Sequence, residues 1–146
     1  MSKMLKEMGL INRCGGAYRT NRLPCDTLPA FQHNFLIAVC EHPGFSQDQL
    51  ARHLFLNKST VTRRITYLEE NGYVTRVPSE SDKRVMLVYP TERALALLPR
   101  INELIDEWGD VLTEGIDPAE LAVFQSVLSR LSCRAKALSG MEGDNE

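Results

Sequence analysis

The sequence predicts a mainly α-helical (α+β) protein in which a winged helix-turn-helix lies between longer N- and C-terminal helices. Three observations lead to this prediction. Two capped helical patterns separated by a short turn occupy residues 46–71, the hydrophobic period becomes strand-like over residues 73–89, and apolar stripes with helical spacing continue to residue 138. A helix, a tight turn, a second helix and a two-stranded wing form the winged helix-turn-helix arrangement, which we expect from about Phe45 to Thr91.

The first two helices are predicted from their apolar content and from the turns that follow them. The first spans residues 3–22 and is weakened by Gly15 and Gly16, at roughly 1 kcal/mol per glycine relative to alanine. The second is the apolar stretch Ala30–Glu41, which ends at the turn His42-Pro43-Gly44. We expect this second helix to be buried.

Capping residues define the two helices of the helix-turn-helix. Ser46 and Gln49 have the spacing of a capping box, which begins a short helix. Asn57 can cap the second helix, and Gly72 is placed to end it. The buried face of this second helix is formed by three apolar residues: Val61, Ile65 and Leu68.

The hairpin and the long helix after it follow from the change in period. Tyr73–Val77 and Val85–Tyr89 are predicted as strands joined by a polar turn. A long helix begins after Thr91, and because Pro99 lies inside it we expect a kink near Leu95.

The last helix begins at Asp117-Pro118, with the aspartate as N-cap and the proline in the first turn. One apolar stripe runs along it: Leu121, Phe124, Leu128, Leu131, Ala135 and Leu138. A terminal helix with so apolar a face needs a partner, and a second subunit would supply one.

Length and composition fit one domain of a cytoplasmic protein. The 146 residues are 43% hydrophobic and 25% charged, which allows one core to form. The longest apolar run, Phe35–Cys40, is too short to cross a bilayer, and the first residues carry no apolar segment of a signal peptide. We therefore expect a single domain over residues 1–139, no contact with a membrane, and a disordered acidic tail at residues 140–146.

Charge is distributed unevenly along the chain, although the net charge is only −2. Between Arg52 and Arg84 seven basic residues and four acidic ones leave +3, whereas the segment from Ala94 to the end carries −6. The middle third can therefore bind a polyanion by itself. The acidic remainder leaves an alternative open, in which the same fold docks another protein without sequence-specific DNA binding.

The second helix of the helix-turn-helix has the composition of a groove-reading helix. At about 100° per residue, Ser59, Thr60 and Arg63 lie opposite the apolar face. Short hydroxyl side chains let a helix approach DNA closely, and arginine can bind guanine bidentately. Lys58 lies in the first turn, where free amides and the helix dipole attract phosphate.

The wing adds a second basic element, with Lys83 and Arg84 at its tip. Asp82 beside them would repel phosphate. We therefore expect Asp82 to brace the wing by holding a nearby arginine in a charge-assisted hydrogen bond.

These residues resemble the MarR family of transcriptional regulators. The resemblance covers about residues 30–93 in order and spacing, and the Asp-x-Arg of the wing is a specific part of it. It is carried by these segments: Ser46–Leu54, Asn57–Arg63, Leu68–Gly72, Val74, Arg76, Asp82–Arg84 and Thr91-Glu92. The resemblance implies a homodimer, with dimerisation helices at residues 3–22 and 91–138, in which each subunit binds half of a pseudo-palindromic operator in double-stranded DNA.

The resemblance also implies a role for each matched residue. Base reading falls to Ser59, Thr60, Thr62 and Arg63, backbone anchoring to Lys58, and minor-groove insertion to Arg84. We expect a repressor, released by a small aromatic or phenolic effector. Four residues are candidates for the effector pocket, and each is at least as well explained as an ordinary core or interface residue: Arg13, Tyr18, His33 and Trp108.

The sequence contains few features of an enzyme or of a metal-binding protein. No phosphate-binding loop, nucleophile elbow or metal motif is present, so we expect neither an enzyme nor a bound cofactor or metal. The four cysteines fit neither a zinc site nor a disulfide framework, and we expect reduced thiols. Cys14 lies in the first helix, where some members of the family carry a peroxide-reactive cysteine, and a redox role for it stays open.

Overall fold

The computed structural model describes residues 2–140. These residues form six helices and one two-stranded antiparallel sheet. In chain order they are α1 (Lys3–Thr20), α2 (Ala30–Glu41), α3 (Gln47–His53), α4 (Lys58–Glu70), β1 (Val74–Pro78), β2 (Met86–Pro90), α5 (Glu92–Thr113) and α6 (Pro118–Leu138). The prediction of a mainly helical fold with a small wing is confirmed. The acidic tail predicted to be disordered spans residues 140–146, of which residues 141–146 lie outside the described residues.

Side-chain caps fix where the two helices of the helix-turn-helix begin. The Gln49 N–H donates to Ser46 Oγ over 3.1 Å and the Ser46 N–H donates to Gln49 Oε1 over 2.8 Å, which confirms the capping box. Asn57 Oδ1 accepts the Thr60 N–H at 2.8 Å and so begins α4.

The wing is joined to the helix-turn-helix along the edge of β2 that does not pair with β1. The strands β1 and β2 pair in the register from Val74↔Pro90 to Pro78↔Met86. On the other side of β2, the Gly44 N–H donates to the Val88 carbonyl at 2.8 Å and the Val88 N–H donates to the Phe45 carbonyl at 2.9 Å. The base of the hairpin is therefore tied to the segment that leads into α3, and the hairpin projects from a fixed base.

The core is shared by α2, α4 and α5. Phe35 and Val39 of α2 and Ile101 of α5 are fully buried. Val61, Ile65 and Leu68 of α4 are also 0% exposed. Burial of a side chain of this size contributes about 1.5–3 kcal/mol, so one face of α4 is firmly attached to the core. Its opposite face is left for solvent or a ligand.

Two buried glycines allow α1 to lie against its neighbours. A Cβ on Gly15 would lie 2.8 Å from Trp108 Nε1 of α5, and a Cβ on Gly16 would lie 3.0 Å from the Ala30 Cβ of α2. The glycine pair was expected to weaken the first helix, yet α1 runs through both residues without a break. The glycines lie where α1 crosses α2 and α5.

Helix α5 also continues through its proline, from Glu92 to Thr113. The bend expected near Leu95 stays a prediction. No helix within residues 2–140 combines the length and the apolar content needed to cross a membrane.

Helix α6 lies almost entirely on the surface of the chain. None of its residues is buried, and Phe124 of the predicted apolar stripe is 55% exposed. Other large apolar side chains are also exposed on α1, near the end of α5 and on α6: Met4, Leu5, Leu10, Ile11, Val111, Leu112, Ile116, Val123, Val127 and Leu128. Exposed apolar side chains in such number indicate an interaction surface rather than an ordinary solvent-facing one.

Candidate nucleic-acid interface

The exposed face of α4 carries most of the predicted reading residues. Because Val61 and Ile65 attach the opposite face to the core, Ser59 and Arg63 are exposed to solvent. Ser59 Oγ donates to Asn57 Oδ1 at 2.8 Å, and Arg63 Nη2 lies 3.5 Å from Thr60 Oγ1. The structure therefore places the arginine and the two hydroxyls side by side at the start of the helix.

Thr62 is also exposed, but its hydroxyl has two partners within the protein. Thr62 Oγ1 donates to the Lys58 carbonyl at 3.0 Å and accepts from Gln47 Nε2 at 3.3 Å. A hydroxyl has one donor and two acceptor sites, so one lone pair and the methyl group remain for other contacts.

Lys58 lies in the first turn of α4 as expected, and its ammonium group has an acidic partner. Lys58 Nζ lies 3.2 Å from Asp48 Oδ1 and 3.3 Å from Asp48 Oδ2. Asp48 was not among the predicted site residues, since in the sequence it is simply an acid inside a capping box. Its position beside Lys58 depends on the angle between α3 and α4, which the turn sets.

At the wing tip, Asp82 holds Arg84 through three hydrogen bonds. The Arg84 backbone N–H and Nε donate to Asp82 Oδ1 at 3.0 and 3.1 Å, and Nη2 donates to Oδ2 at 3.2 Å. The guanidinium, followed by the backbone N–H, lowers the pKa of the Asp82 carboxyl. Arg84 remains 91% exposed, and Lys83 beside it is exposed too. The tip therefore presents two cations on a turn that an aspartate shapes.

A second ion pair, not predicted as functional, links α4 to the wing. Arg76 Nε of β1 donates to Glu69 Oε2 of α4 at 2.8 Å, and Arg76 Nη2 donates to Glu69 Oε1 at 3.2 Å. These hydrogen bonds lower the pKa of the Glu69 carboxyl. A bidentate pair fixes direction as well as distance, so α4 and the wing are held in one orientation.

A cleft of about 690 Å³ lies between α1, α2, the turn of the helix-turn-helix and Arg64 of α4. Three arginines border it, Arg13, Arg19 and Arg64, together with apolar side chains that include Phe35. Arg64 donates to the Phe31 carbonyl of α2 and so connects α4 to the wall of the cleft.

Of the four predicted pocket residues, only Arg13 borders this cleft. Tyr18 and Trp108 pack on each other, with their ring centroids 5.2 Å apart. His33 is fully buried, and both of its ring nitrogens are bonded within the protein. Arg19 Nε donates to His33 Nδ1 at 3.1 Å, which places the proton of the neutral ring on Nε2, 3.0 Å from the Leu28 carbonyl. The structure therefore does not bring the four residues together around one cavity.

Folding stability is expected to fall as the pH drops below 6.5, because His33 is held neutral. Burial lowers the pKa of His33 from 6.5, and Arg19 lowers it further against the opposing effect of the Leu28 carbonyl. Between the lowered pKa and pH 6.5 the unfolded chain binds more protons than the folded one. The contribution of His33 to the free energy of unfolding is therefore complete above pH 6.5 and is lost as the pH falls through the pKa of His33 in the folded protein. Urea unfolding as a function of pH measures this.

The test variant is His33→Gln. Its matched control is His53→Gln, which makes the same substitution at a less buried imidazole. His33→Gln should flatten the acid side of the stability profile more than His53→Gln does. Equal profiles for the two variants would contradict the assignment to His33.

The free thiols within residues 2–140 fall into two groups. Cys14, Cys25 and Cys133 are exposed. Cys40 packs against the core, and burial, aided by Glu41, raises the pKa of its thiol to about 11. A thiol with so high a pKa is a poor nucleophile, which fits the place of Cys40 in α2, the helix that was expected to be buried.

Comparison with known proteins agrees with this geometry. A family model described as MarR family matches residues 26–85. The HTH-type transcriptional regulator YybA of Bacillus subtilis is 25% identical over 131 residues, which cover 90% of this chain and 87% of that protein.

Solved structures extend the similarity over nearly the whole chain. A MarR protein from Peptoclostridium difficile is 25% identical, with a TM-score of 0.88 and coverage of 94% of this chain and 90% of that chain. A structure from Listeria monocytogenes, described as a MarR family transcriptional regulator complexed with 26mer DNA, has the same fold at 24% identity, with a TM-score of 0.82 and coverage of 95% and 93%. Across the helix-turn-helix and wing the chain is similar in sequence to the MarR family of transcriptional regulators, and over nearly its whole length it has the winged-helix architecture of their solved structures.

Proposed function

We propose that this chain is a homodimeric repressor that binds a pseudo-palindromic operator in double-stranded DNA. One observation carries the proposal: Arg63 on the exposed face of α4 and Arg84 at the wing tip belong to a single unit that the Glu69–Arg76 pair holds in one orientation. A reading helix and a projecting basic wing fixed relative to each other suit the major groove and an adjacent minor groove.

Each contact has a distinct role in this proposal. Ser59, Thr60 and Arg63 read base edges, and Thr62 adds its methyl group, which suits the methyl group of thymine. The Lys58 ammonium binds a phosphate. The wing contributes the two remaining cations, Lys83 and Arg84, with Asp82 as a brace.

The homodimer is supported by the apolar side chains that α1, α5 and α6 leave exposed. A second copy of the chain would cover them through a two-fold interface. Such a dimer can bind successive major grooves on one face of DNA if its two copies of α4 lie about 34 Å apart.

Release by a small effector is supported by the cleft beside α4. Three arginines and the rings of Phe31 and Phe35 suit an aromatic molecule with a negative charge, such as a phenolate or an aromatic carboxylate. Because Arg64 joins the wall of this cleft to α4, an occupant that binds the Arg64 guanidinium would alter the orientation of the reading helix.

Substitution of the two arginines tests the DNA-binding assignment. Arg63→Ala is expected to cost about 1–3 kcal/mol at the operator and to relax specificity, and Lys58→Ala is expected to weaken all sequences alike and to reduce the salt slope by about 1. The double variant Arg63→Ala, Arg84→Ala should lose operator binding at moderate salt. Gel shifts on the upstream region of the protein's own gene, at several salt concentrations, measure all three effects.

Arg100→Ala is the matched control, because Arg100 lies on α5, pairs with Glu103 and is remote from the reading face. It should bind as the original protein does. Retention of operator binding by the double variant would disprove the assignment. If no DNA is bound at any salt concentration, docking of another protein becomes the favoured function.

A further inference from the structure

We propose that Asp48 limits the affinity of the winged helix for DNA by competing with phosphate for Lys58. The inference rests on the proposed function, since it concerns the same surface. Asp48 lies outside the predicted contact set, and its effect on binding is opposite in sign to that of the contact residues.

The geometry places the carboxylate directly on the predicted phosphate anchor. Both Asp48 oxygens lie within 3.3 Å of Lys58 Nζ, in a contact between the first turn of α3 and the first turn of α4. A phosphate that binds Lys58 must displace this carboxylate or share the ammonium with it. If the ammonium is shared, a second negative charge remains beside the phosphate.

This ion pair has little part in holding the fold together. The Lys58 and Asp48 side chains are 80% and 55% exposed, and exposed ion pairs contribute little to stability because solvent screens them. The two helices are attached instead through buried residues such as Leu50 and Val61. A carboxylate that is dispensable for folding and in contact with a DNA-binding cation acts chiefly on binding.

The neighbouring residue shows what a neutral partner does in the same turn. Gln47 donates to Thr62 Oγ1 and thereby orients a second predicted contact without adding charge. Asp48 orients Lys58 in a similar way, but its carboxylate also neutralises the ammonium group that a DNA phosphate would bind. Replacing the carboxylate by an amide keeps the shape and removes the charge, so the two effects of Asp48 can be separated.

The test is Asp48→Asn, measured by fluorescence anisotropy on the operator duplex and on a scrambled duplex over a series of salt concentrations. We expect binding to both duplexes to tighten about three- to tenfold, with the larger gain at low salt, where charges are least screened. Loss of a merely structural residue would weaken binding, so the gain itself distinguishes the two roles. Asp106→Asn on α5 is the matched control, with the same change of charge on an exposed residue outside the winged helix.

The Lys58→Ala background decides whether Asp48 acts through Lys58. In that background Asp48→Asn should no longer tighten binding. The proposal is overturned by unchanged affinity in Asp48→Asn, by equal tightening in Asp106→Asn, or by tightening that persists without Lys58. If the original protein and all variants bind neither duplex, the proposed function fails and this inference fails with it, whereas operator binding without an effect of Asp48→Asn overturns the inference alone.

Discussion

Replacing Phe124 with glutamate is expected to make the protein monomeric and to weaken operator binding by about a hundredfold or more. Phe124 lies on the apolar stripe of α6 and is 55% exposed in the single chain. If a second subunit covers this stripe, a glutamate there must lose its hydration without gaining a partner, which costs several kcal/mol. A monomer would then hold only one half-site, and the gain from simultaneous binding of two linked sites, about 10²–10⁴, would be lost.

Ser126→Glu is the matched control, because it introduces the same charge at a position about 200° around the helix from residue 124. Sedimentation velocity at micromolar concentration measures the oligomeric state, and anisotropy on the operator duplex measures binding. Ser126→Glu should stay dimeric with unchanged affinity. A Phe124→Glu variant that remains dimeric would place the interface elsewhere and would remove the reason given for the exposed face of α6.

The elements that could be predicted from the sequence are those whose signals are local. The capping box of Ser46 and Gln49 spans three residues, and the stripe of Val61, Ile65 and Leu68 spans two helical turns, so both can be recognised without knowing the fold. The change of period after Gly72 marks the wing for the same reason. These signals were sufficient for the fold and for the exposed face of α4 on which the predicted base-reading residues lie.

The contacts that sequence reasoning missed join different elements. Asp48 meets Lys58 across a turn, and Glu69 meets Arg76 between a helix and a strand. Each contact depends on an interelement angle set by the packing of the core, and no spacing in the sequence encodes it. The sequence shows the four charged residues of these two ion pairs but not which of them pair.

The residues predicted to line an effector pocket also depend on packing that the sequence does not encode. Tyr18, His33 and Trp108 are amphipathic residues on three different helices, and their types suit a ligand site. In the fold they satisfy one another or the backbone instead, as His33 does with Arg19 and Leu28. The residue type indicated that these positions are special, but only the packing shows which neighbour each side chain has.

The close packing of Gly15 in α1 against Trp108 in α5 also depends on the fold and could not be predicted from the sequence. Gly15→Ala is expected to destabilise the protein by about 1–3 kcal/mol, although alanine is the better helix former, because overpacking a closed contact costs more than the gain in helix propensity. The new Cβ would lie 2.8 Å from Trp108 Nε1 and 3.2 Å from Trp108 Cδ1. Gly109→Ala on α5 is the control, since its Cβ would meet nothing within 4 Å in the described chain, and it should stabilise the protein by about 0.5–1 kcal/mol.

A double-mutant cycle assigns the cost of Gly15→Ala to the tryptophan. In a Trp108→Ala background the indole ring is absent, so Gly15→Ala should become neutral or stabilising, and the difference between the two backgrounds is the interaction energy. Trp108 is the only tryptophan in the chain, so its fluorescence reports the contact between α1 and α5 directly, while circular dichroism follows unfolding in the variants that lack it. If Gly15→Ala is equally destabilising with and without the indole, its cost arises elsewhere, and the close approach of α1 to α5 is not what requires the glycine.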